Sequence, residues 1–311
     1  MPWQPTASID NIKRRAELYK NIRAFFASKN ILEVETPLLC QHTVTDCHID
    51  SFALENKSRF LQTSPEYAMK RLIAAGSGSI YQICKSFRNG ESGKKHNPEF
   101  TMLEWYRIGF DHHDLMNEID ELLQFILKSQ PAEKITYREL FLKFLNIDFF
   151  KADLSQLKKI ILDNNIEINV DAIDFDAALQ ILLTHLIEHK LGFDKPLFLY
   201  DFPISQAALA KIRGGEFPVA ERFELYINGI EIANGFHELT DPAEQQKRFS
   251  KDQDKRRENK KFIPEIDQHF IASLNSLPNC AGVAIGLDRL LMYCADTKNI
   301  QDVICFPWES A

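Results

Sequence analysis

Residues 84–106 read Cys-Lys-Ser-Phe-Arg-Asn-Gly-Glu-Ser-Gly-Lys-Lys-His-Asn-Pro-Glu-Phe-Thr-Met-Leu-Glu-Trp-Tyr. Just before them, Ile80, Gln82, Ile83 and Phe87 pattern as a strand that runs into Arg88. Gly90 and Gly93 break that pattern, and Lys94, Lys95 and His96 follow. A second strand is predicted from Glu99, with Phe100, Met102, Glu104 and Tyr106 on one face by the two-residue period of a strand. The whole is a hairpin with a basic loop. Arg88 at a strand end can offer a planar fork of donors to a phosphate or a carboxylate. Phe100 gives a flat face for a base, and Glu104 shares that face. Taken alone, the stretch reads first as an ordinary hairpin with a solvated turn; the rest of the chain reverses that.

The 311 residues are 45% apolar and 26% charged, an ordinary globular composition with length for one large domain. No apolar run reaches the roughly 18 residues of a membrane span, so no membrane partner is expected. Met1-Pro-Trp-Gln-Pro5 has no basic region followed by an apolar core, so it does not read as a secretory signal. Cys40, Cys47, Cys84, Cys280, Cys294 and Cys305 form no CxxC pair, which argues against structural zinc and for free thiols in the cytoplasm. A net charge of −7 leans away from a protein that grips a long phosphate backbone.

Three stretches together resemble the class II lysyl-tRNA synthetases. Phe87-Arg88 with His96-Asn97-Pro98-Glu99-Phe100-Thr101-Met102-Leu103-Glu104-Trp105-Tyr106 is similar to their motif 2. Leu32-Glu-Val-Glu-Thr-Pro-Leu-Leu39 resembles motif 1, and Gly282-Val-Ala-Ile-Gly-Leu-Asp-Arg-Leu290 resembles motif 3. The likeness covers nearly the whole chain. It implies an α+β fold: one catalytic domain over 1–311 with an antiparallel sheet flanked by helices.

Ile9, Ile12, Ala16, Tyr19, Ile22 and Phe26 recur at helical spacing, which predicts an amphipathic helix over 8–29 with Ser8 as cap and Asn30 as stop. A short strand over Ile31–Glu35 then runs into Pro37. In the resembling family this arrangement builds a homodimer. That family also carries an anticodon-binding barrel ahead of motif 1. Only about 30 mostly helical residues precede Ile31 here, too few for a five-stranded barrel. No anticodon recognition of tRNA is therefore expected. A lysine-activating core without that reader resembles the ligases that attach (R)-β-lysine to elongation factor P. A stand-alone lysine–tRNA ligase and a non-catalytic regulatory paralogue are the alternatives.

Ser64-Pro65-Glu66 opens a predicted helix, with Pro65 at its first position and Ser64 as cap. The resemblance assigns these residues to the substrate, Glu66 facing its α- or β-ammonium. Residues 111–200 are predicted to be a mainly helical insertion packed on the sheet. Within them, His112 and His113 read as solvated surface, and His185 and His189 lack a third metal ligand.

Arg222–Ile227 and Ile230–Ala233 read as strands joined by the turn signal Asn228-Gly229. Glu224 and Glu231 flank that turn, so they could face each other across the hairpin. Like charges on adjacent strands repel unless a cation sits between them, and magnesium is the natural candidate. The resemblance gives both carboxylates to Mg2+ on ATP. Asn234, Phe236 and Glu238 follow every second residue and suit an alkyl stem ending in an ammonium, which needs a paired carboxylate when buried. Glu238 supplies one, with Tyr106 and Glu104 beside it. Ala284 stands where lysyl-tRNA synthetases have a glycine, and its methyl would reshape the pocket.

The ATP set implied by the resemblance is Arg88, Asn89, Gly90, His96, Asn97, Phe100, Glu231, Ile232, Gly286 and Arg289, with Arg88 and Arg289 catalytic and Arg289 sandwiching adenine against Phe100. Gly282 and Gly286 read as sites of close approach. One departure is visible: the family's usual glutamate two residues after the motif 2 arginine is Gly90, with Glu91 one position later.

Overall fold

The computed structural model describes residues 3–311, so Met1 and Pro2 of the N-terminal pentapeptide lie outside it. In chain order the main elements are α1 (Ile9–Ser28), β1 (Leu32–Glu33), β2 (Leu39–Cys40), β3 (Phe60–Leu61), α2 (Glu66–Ala74), β4 (Ile80–Phe87) and β5 (Glu99–Ile108). Then come α3 (His112–Leu127), β6 (Glu133–Thr136), α4 (Tyr137–Leu145), α5 (Leu154–Asp163), α6 (Phe175–Leu182), β7 (Leu197–Pro203) and β8 (Ile212–Arg213). The chain closes with β9 (Val219–Ile227), β10 (Ile230–His237), α7 (Pro242–Glu258), α8 (Gln268–Ser273), β11 (Cys280–Gly286) and α9 (Leu287–Cys294).

One large sheet runs β1-β4-β5-β11-β10-β9-β7-β6, with β8 added beside β9. Its centre is antiparallel as expected, but both edge pairs, β1 with β4 and β6 with β7, are parallel. The two-residue period sorts the strands into two faces. Tyr81, Leu103, Trp105, Val283, Ile285, Ala233, Phe223 and Leu225 point to one side and pack with α1, α3 and α9 in the main core. Gly235 belongs to that face, where a Cβ would come within 2.3 Å of the Phe223 ring.

On the opposite face two smaller cores flank a gap. Met69, Ile73, Ile80, Tyr106, Phe249 and Phe270 pack under α2, α7 and α8 at one side. Tyr137, Phe141, Leu199, Phe202 and Tyr226 pack with α4–α6 at the other. Between them lie the central rungs of β4, β5, β11, β10 and β9. Helices cover the flanks and leave this strip as a cleft floor.

The stretch 111–200 divides accordingly. Helix α3 belongs to the main core, β6 and β7 extend the sheet, and α4–α6 form the flanking core. His112, expected in solvent, is only 1% exposed: it opens α3 against the sheet and lies 3.3 Å from Asp201. Helix α1 is capped as predicted, Ser8 Oγ accepting the Asn11 N–H, and Asn30 ends it with a positive φ. Its buried stripe is Leu18, Ile22, Phe25 and Phe26, while Ile9 stays exposed beyond the sheet. The strand after it is shorter than expected: Leu32 and Glu33 form the ladder with β4, and Val34 adds one N–H bond to the Tyr81 carbonyl. Among the described residues no helix is long and apolar enough to cross a membrane.

Candidate active site

The cleft floor is assembled by register. Glu104 on β5 pairs with Gln82 on one side and Ala284 on the other, and Ala284 pairs with Asn234, which pairs with Glu224. One rung therefore carries Gln82, Glu104, Ala284, Asn234 and Glu224 across five strands on a single face. The next rung holds Ile80, Tyr106, Gly282, Phe236 and Arg222. All the predicted amino-acid-pocket residues on strands thus share one surface, with the Ala284 methyl at its middle. Gly282 is required there, since a Cβ would come within 2.2 Å of the Tyr106 ring and 2.6 Å of Glu238 Oε1. Gly286 is different: a Cβ would meet Arg289 and Ile232 only at ordinary contact distances of 3.8 and 3.9 Å.

The end of this strip under α2 is acidic. Glu104 accepts from Ser64 Oγ and from Tyr106 Oη, both at 2.7 Å. Burial, then the nearby Glu66 charge, pushes its carboxyl up to about 8. Glu238 is buried just beyond β10; burial lifts it to about 7, against the pull of Lys70. The Lys70 ammonium lies 2.7 Å from Glu66 and 2.5 Å from Glu238. It is 1% exposed and held in the charged form by those carboxylates despite its burial. Both carboxylates assigned to substrate ammonium groups thus already share a lysine, and the Tyr106 hydroxyl is committed to Glu104 as a donor. Pro65 caps α2 rather than opening it, and the Ser64 hydroxyl accepts the Glu66 N–H from one residue further out.

The other end is basic. The Arg88 guanidinium lies 5.1 Å from the Phe100 ring centroid, and its buried Nε has no partner. Glu91, one position after the family's usual site, lies 3.8 Å from Arg88. Asp288 fixes the start of α9 against β5, accepting the Thr101 N–H and pairing with Arg15. That anchors Arg289, which donates to the Glu231 carbonyl at 2.9 Å and reaches His96 Nε2 at 2.5 Å. Partial burial and the Arg289 charge push the His96 imidazole down to about 4, leaving its Nε2 an acceptor. Arg289 is drawn toward the loop, and the guanidinium nearest the Phe100 ring is that of Arg88.

Two other ATP assignments change character. The Ile232 side chain is buried in the helix-side core, leaving only its backbone toward the cleft. The Asn97 amide is spent on structure, donating to the Glu99 carbonyl and accepting the Trp308 N–H. Asn89 and Gly90 lie exposed on the loop, with the Asn89 N–H donating to the Asp50 carbonyl.

Glu224 and Glu231 share the cleft face but do not sit opposite one another. The two-residue Asn228-Gly229 turn sets Glu231 opposite Tyr226, and a bulge at Ile232 then sets Glu224 opposite Asn234. Glu224 is buried, bonded to Arg222 at 2.5 Å and to Tyr226 Oη at 2.6 Å. Burial pushes it up to about 7, with Glu231 and Glu188 adding to the rise. Glu224, Glu231 and Glu188 repel one another, with Arg222 paired to Glu224 and Arg289 3.7 Å from Glu231; a cluster of carboxylates of this kind suits a hard divalent cation. Sequence reasoning missed Lys70, Arg222 and Glu188. The first two had a readable signal: Lys70 lies four residues after Glu66 among the apolar positions of a helix, and Arg222 lies two before Glu224 on the same strand face.

Among the described residues, the one grouping of three possible metal ligands is His112, Glu221 and His237, away from this cleft. There the Arg213 guanidinium pairs with Glu221 and Asp201, and His237 bonds Glu221 and Asn279. The positive charge those carboxylates need is already supplied.

A sheet face with arginines at one end and clustered carboxylates at the other, floored by small residues, defines an adenylate-forming synthetase core. The profile of the tRNA synthetases class II (D, K and N) matches residues 4–310, and the chain belongs to that family. A protein of Vibrio atlanticus (strain LGP32) called elongation factor P–(R)-β-lysine ligase is 50% identical over 316 residues, covering 98% of each chain. Proteins of the same name from Vibrio cholerae (50% over 319 residues, 99% of this chain and 98% of theirs) and Photobacterium profundum (49% over 320 residues, 100% and 99%) are similar throughout.

Proposed function

We propose that this chain is an AMP-forming ligase that activates (R)-β-lysine with ATP and transfers it to a lysine side chain of elongation factor P. The observation that carries the reading is the polarity of one sheet face. Arg88 and Arg289 stand at its nucleotide end, and Glu66, Glu104 and Glu238 at its amino-acid end. The full-length likeness to ligases of that name supports the choice of amino acid and acceptor.

In the first step a substrate carboxylate oxygen attacks the α-phosphorus of ATP, and the bond to pyrophosphate breaks. The unpartnered Arg88 Nε–H and its guanidinium meet the charge that builds on the α-phosphate, so stabilisation is electrostatic and needs no protein nucleophile. Glu224 and Glu231 would hold Mg2+, with Glu188 adding negative charge. When bound, the ion neutralises phosphate oxygens. In the second step the ε-amine of the acceptor lysine attacks the acyl carbon. An amide forms, AMP leaves and the amine gives up a proton. Glu66 and Glu238 orient the substrate's ammonium groups, Phe236 and Ala284 line its stem, and Asn234 lies beside them.

A single catalytic domain, a homodimer and a cytoplasmic location belong to the same reading. Exposed Ile9 on α1 and Leu32 on the β1 edge support the dimer, and six free cysteines support the compartment. The test is the mass of purified elongation factor P after incubation with this protein, ATP and each lysine isomer. A gain of one lysyl unit with the β-isomer is expected. An unchanged mass with every isomer overturns the proposal, and lysine esterified to tRNA instead would point to a tRNA ligase.

A further inference from the structure

A buried lysine at the heart of a cation-binding pocket needs explaining. Lys70 projects from α2, one turn after Glu66, and its ammonium bridges Glu66 and Glu238. Its Nζ also lies 6.0 Å from the Tyr106 ring centroid and 5.9 Å from that of Phe270, too far out to replace a hydrogen bond. Charged side chains buried this deeply are costly, and a well-packed apolar residue in their place often stabilises a fold. Met69 and Ile73 on the same helix show that apolar side chains suit the surroundings. Stability is therefore a poor reason for an ammonium here.

Charge counting gives a better one. Glu66, Glu104 and Glu238 bring three carboxylates to this end of the cleft, and Lys70 is the cation that pairs with them. Two carboxyl groups are left without a cationic partner, and burial, with the Glu66 charge adding to it, lifts both Glu104 and Glu238. Glu238 Oε1, packed where Gly282 lacks a side chain, is buried and has no hydrogen-bond partner, so one acceptor is left for a ligand. Glu238 follows the end of β10 and Glu66 opens α2, so the two come from unrelated elements. Lys70 is what ties them together.

We infer that Lys70 is a positioning and specificity residue: it clamps Glu238 to Glu66 and leaves the pocket with two more carboxyl groups than cations, so that the pocket selects an amino acid carrying two ammonium groups. The inference rests on the functional reading above and adds to it the reason for a diamino substrate. A monoamino analogue such as norleucine leaves a buried carboxylate unpaired, and sites built around a polar group reject analogues lacking it strongly.

The experiment is a double-mutant cycle on the full chain, read by amino-acid-dependent ATP–pyrophosphate exchange with (R)-β-lysine, lysine and norleucine, alongside thermal unfolding. Lys70→Met is expected to raise the KM for the diamino acid at least tenfold while the KM for ATP moves less than threefold. Because Lys70 acts through Glu238, adding Lys70→Met to Glu238→Gln should change the diamino-acid KM less than threefold. The double variant loses both partners of the pair, so it keeps a folded background if Lys70→Met alone does not fold. Full additivity of the two effects, or an unchanged diamino-acid KM in Lys70→Met, overturns the inference. Absence of exchange by the wild-type protein with any of these amino acids would instead sink the functional reading, and the inference with it.

Discussion

Gly282→Ala probes the pocket floor with a single methyl. A Cβ at 282 would lie 2.2 and 2.4 Å from two carbons of the Tyr106 ring and 2.6 Å from Glu238 Oε1, against ordinary contact beginning at 3.4 Å. Both neighbours must retreat by about 1 Å, and neither has free space: Tyr106 is 2% exposed and bonded to Glu104, and Glu238 is 2% exposed and paired with Lys70. Overpacking of this kind costs about 1–3 kcal/mol. Removing a glycine from the unfolded chain returns about 0.4–1 kcal/mol. The net expectation is a loss of about 1–2 kcal/mol, measured by denaturant unfolding. The functional loss should be larger, because a misplacement of about 1 Å in a catalytic constellation can cost on the order of 10²-fold in rate. In pyrophosphate exchange it should fall on the amino acid and spare the KM for ATP. Gly235→Ala is the control: its Cβ would strike Phe223 on the helix-packed face, so it should lose stability with a much smaller effect on the amino-acid KM. Wild-type stability and kinetics in Gly282→Ala would refute the packing of Tyr106 and Glu238 against that strand.

Arg88→Ala should lower pyrophosphate exchange by about 10²–10³-fold while the fold melts near the wild-type temperature, since removal of one transition-state donor has that order of cost. Arg222→Met strips Glu224 of its buried ion partner and should destabilise the protein by about 3 kcal/mol, seen in denaturant unfolding; an unchanged midpoint would mean the pair is solvated. Glu104 holds its proton to about pH 8 in the folded protein but loses it near pH 4 when unfolded, so the unfolded state binds fewer protons between those values and stability falls as pH rises through that window. Glu104→Gln should flatten that slope by up to about 1.4 kcal/mol per pH unit, measured by unfolding at pH 5 and pH 8. Asn97→Ala frees the loop from Trp308 and should raise the KM for ATP with little change in that for the amino acid.

Local patterning determined much of this protein. The capped helix over 9–28, the hairpin of β4 and β5, and the Asn228-Gly229 turn all follow from period and turn chemistry, which act between residues near in sequence. So does the sharing of one strand face by Glu104 with Tyr106, and by Asn234 with Phe236. Tertiary structure alone decided which charges meet. Lys70 reaches Glu238 across 168 positions of chain, a pairing fixed by where α2 docks on the sheet. The two-residue Asn228-Gly229 turn put Glu231 opposite Tyr226 rather than Glu224; the bulge at Ile232 then put Asn234 opposite Glu224 where an unbroken ladder would have put Ala233, and one inserted residue in a strand leaves no periodic trace. His112 looked like solvent-facing surface because its partner Asp201 is 89 residues away. Burial and ion pairing are properties of the packed whole. A sequence states which groups can ionise, and only the assembled sheet states which of them must share a proton or a cation.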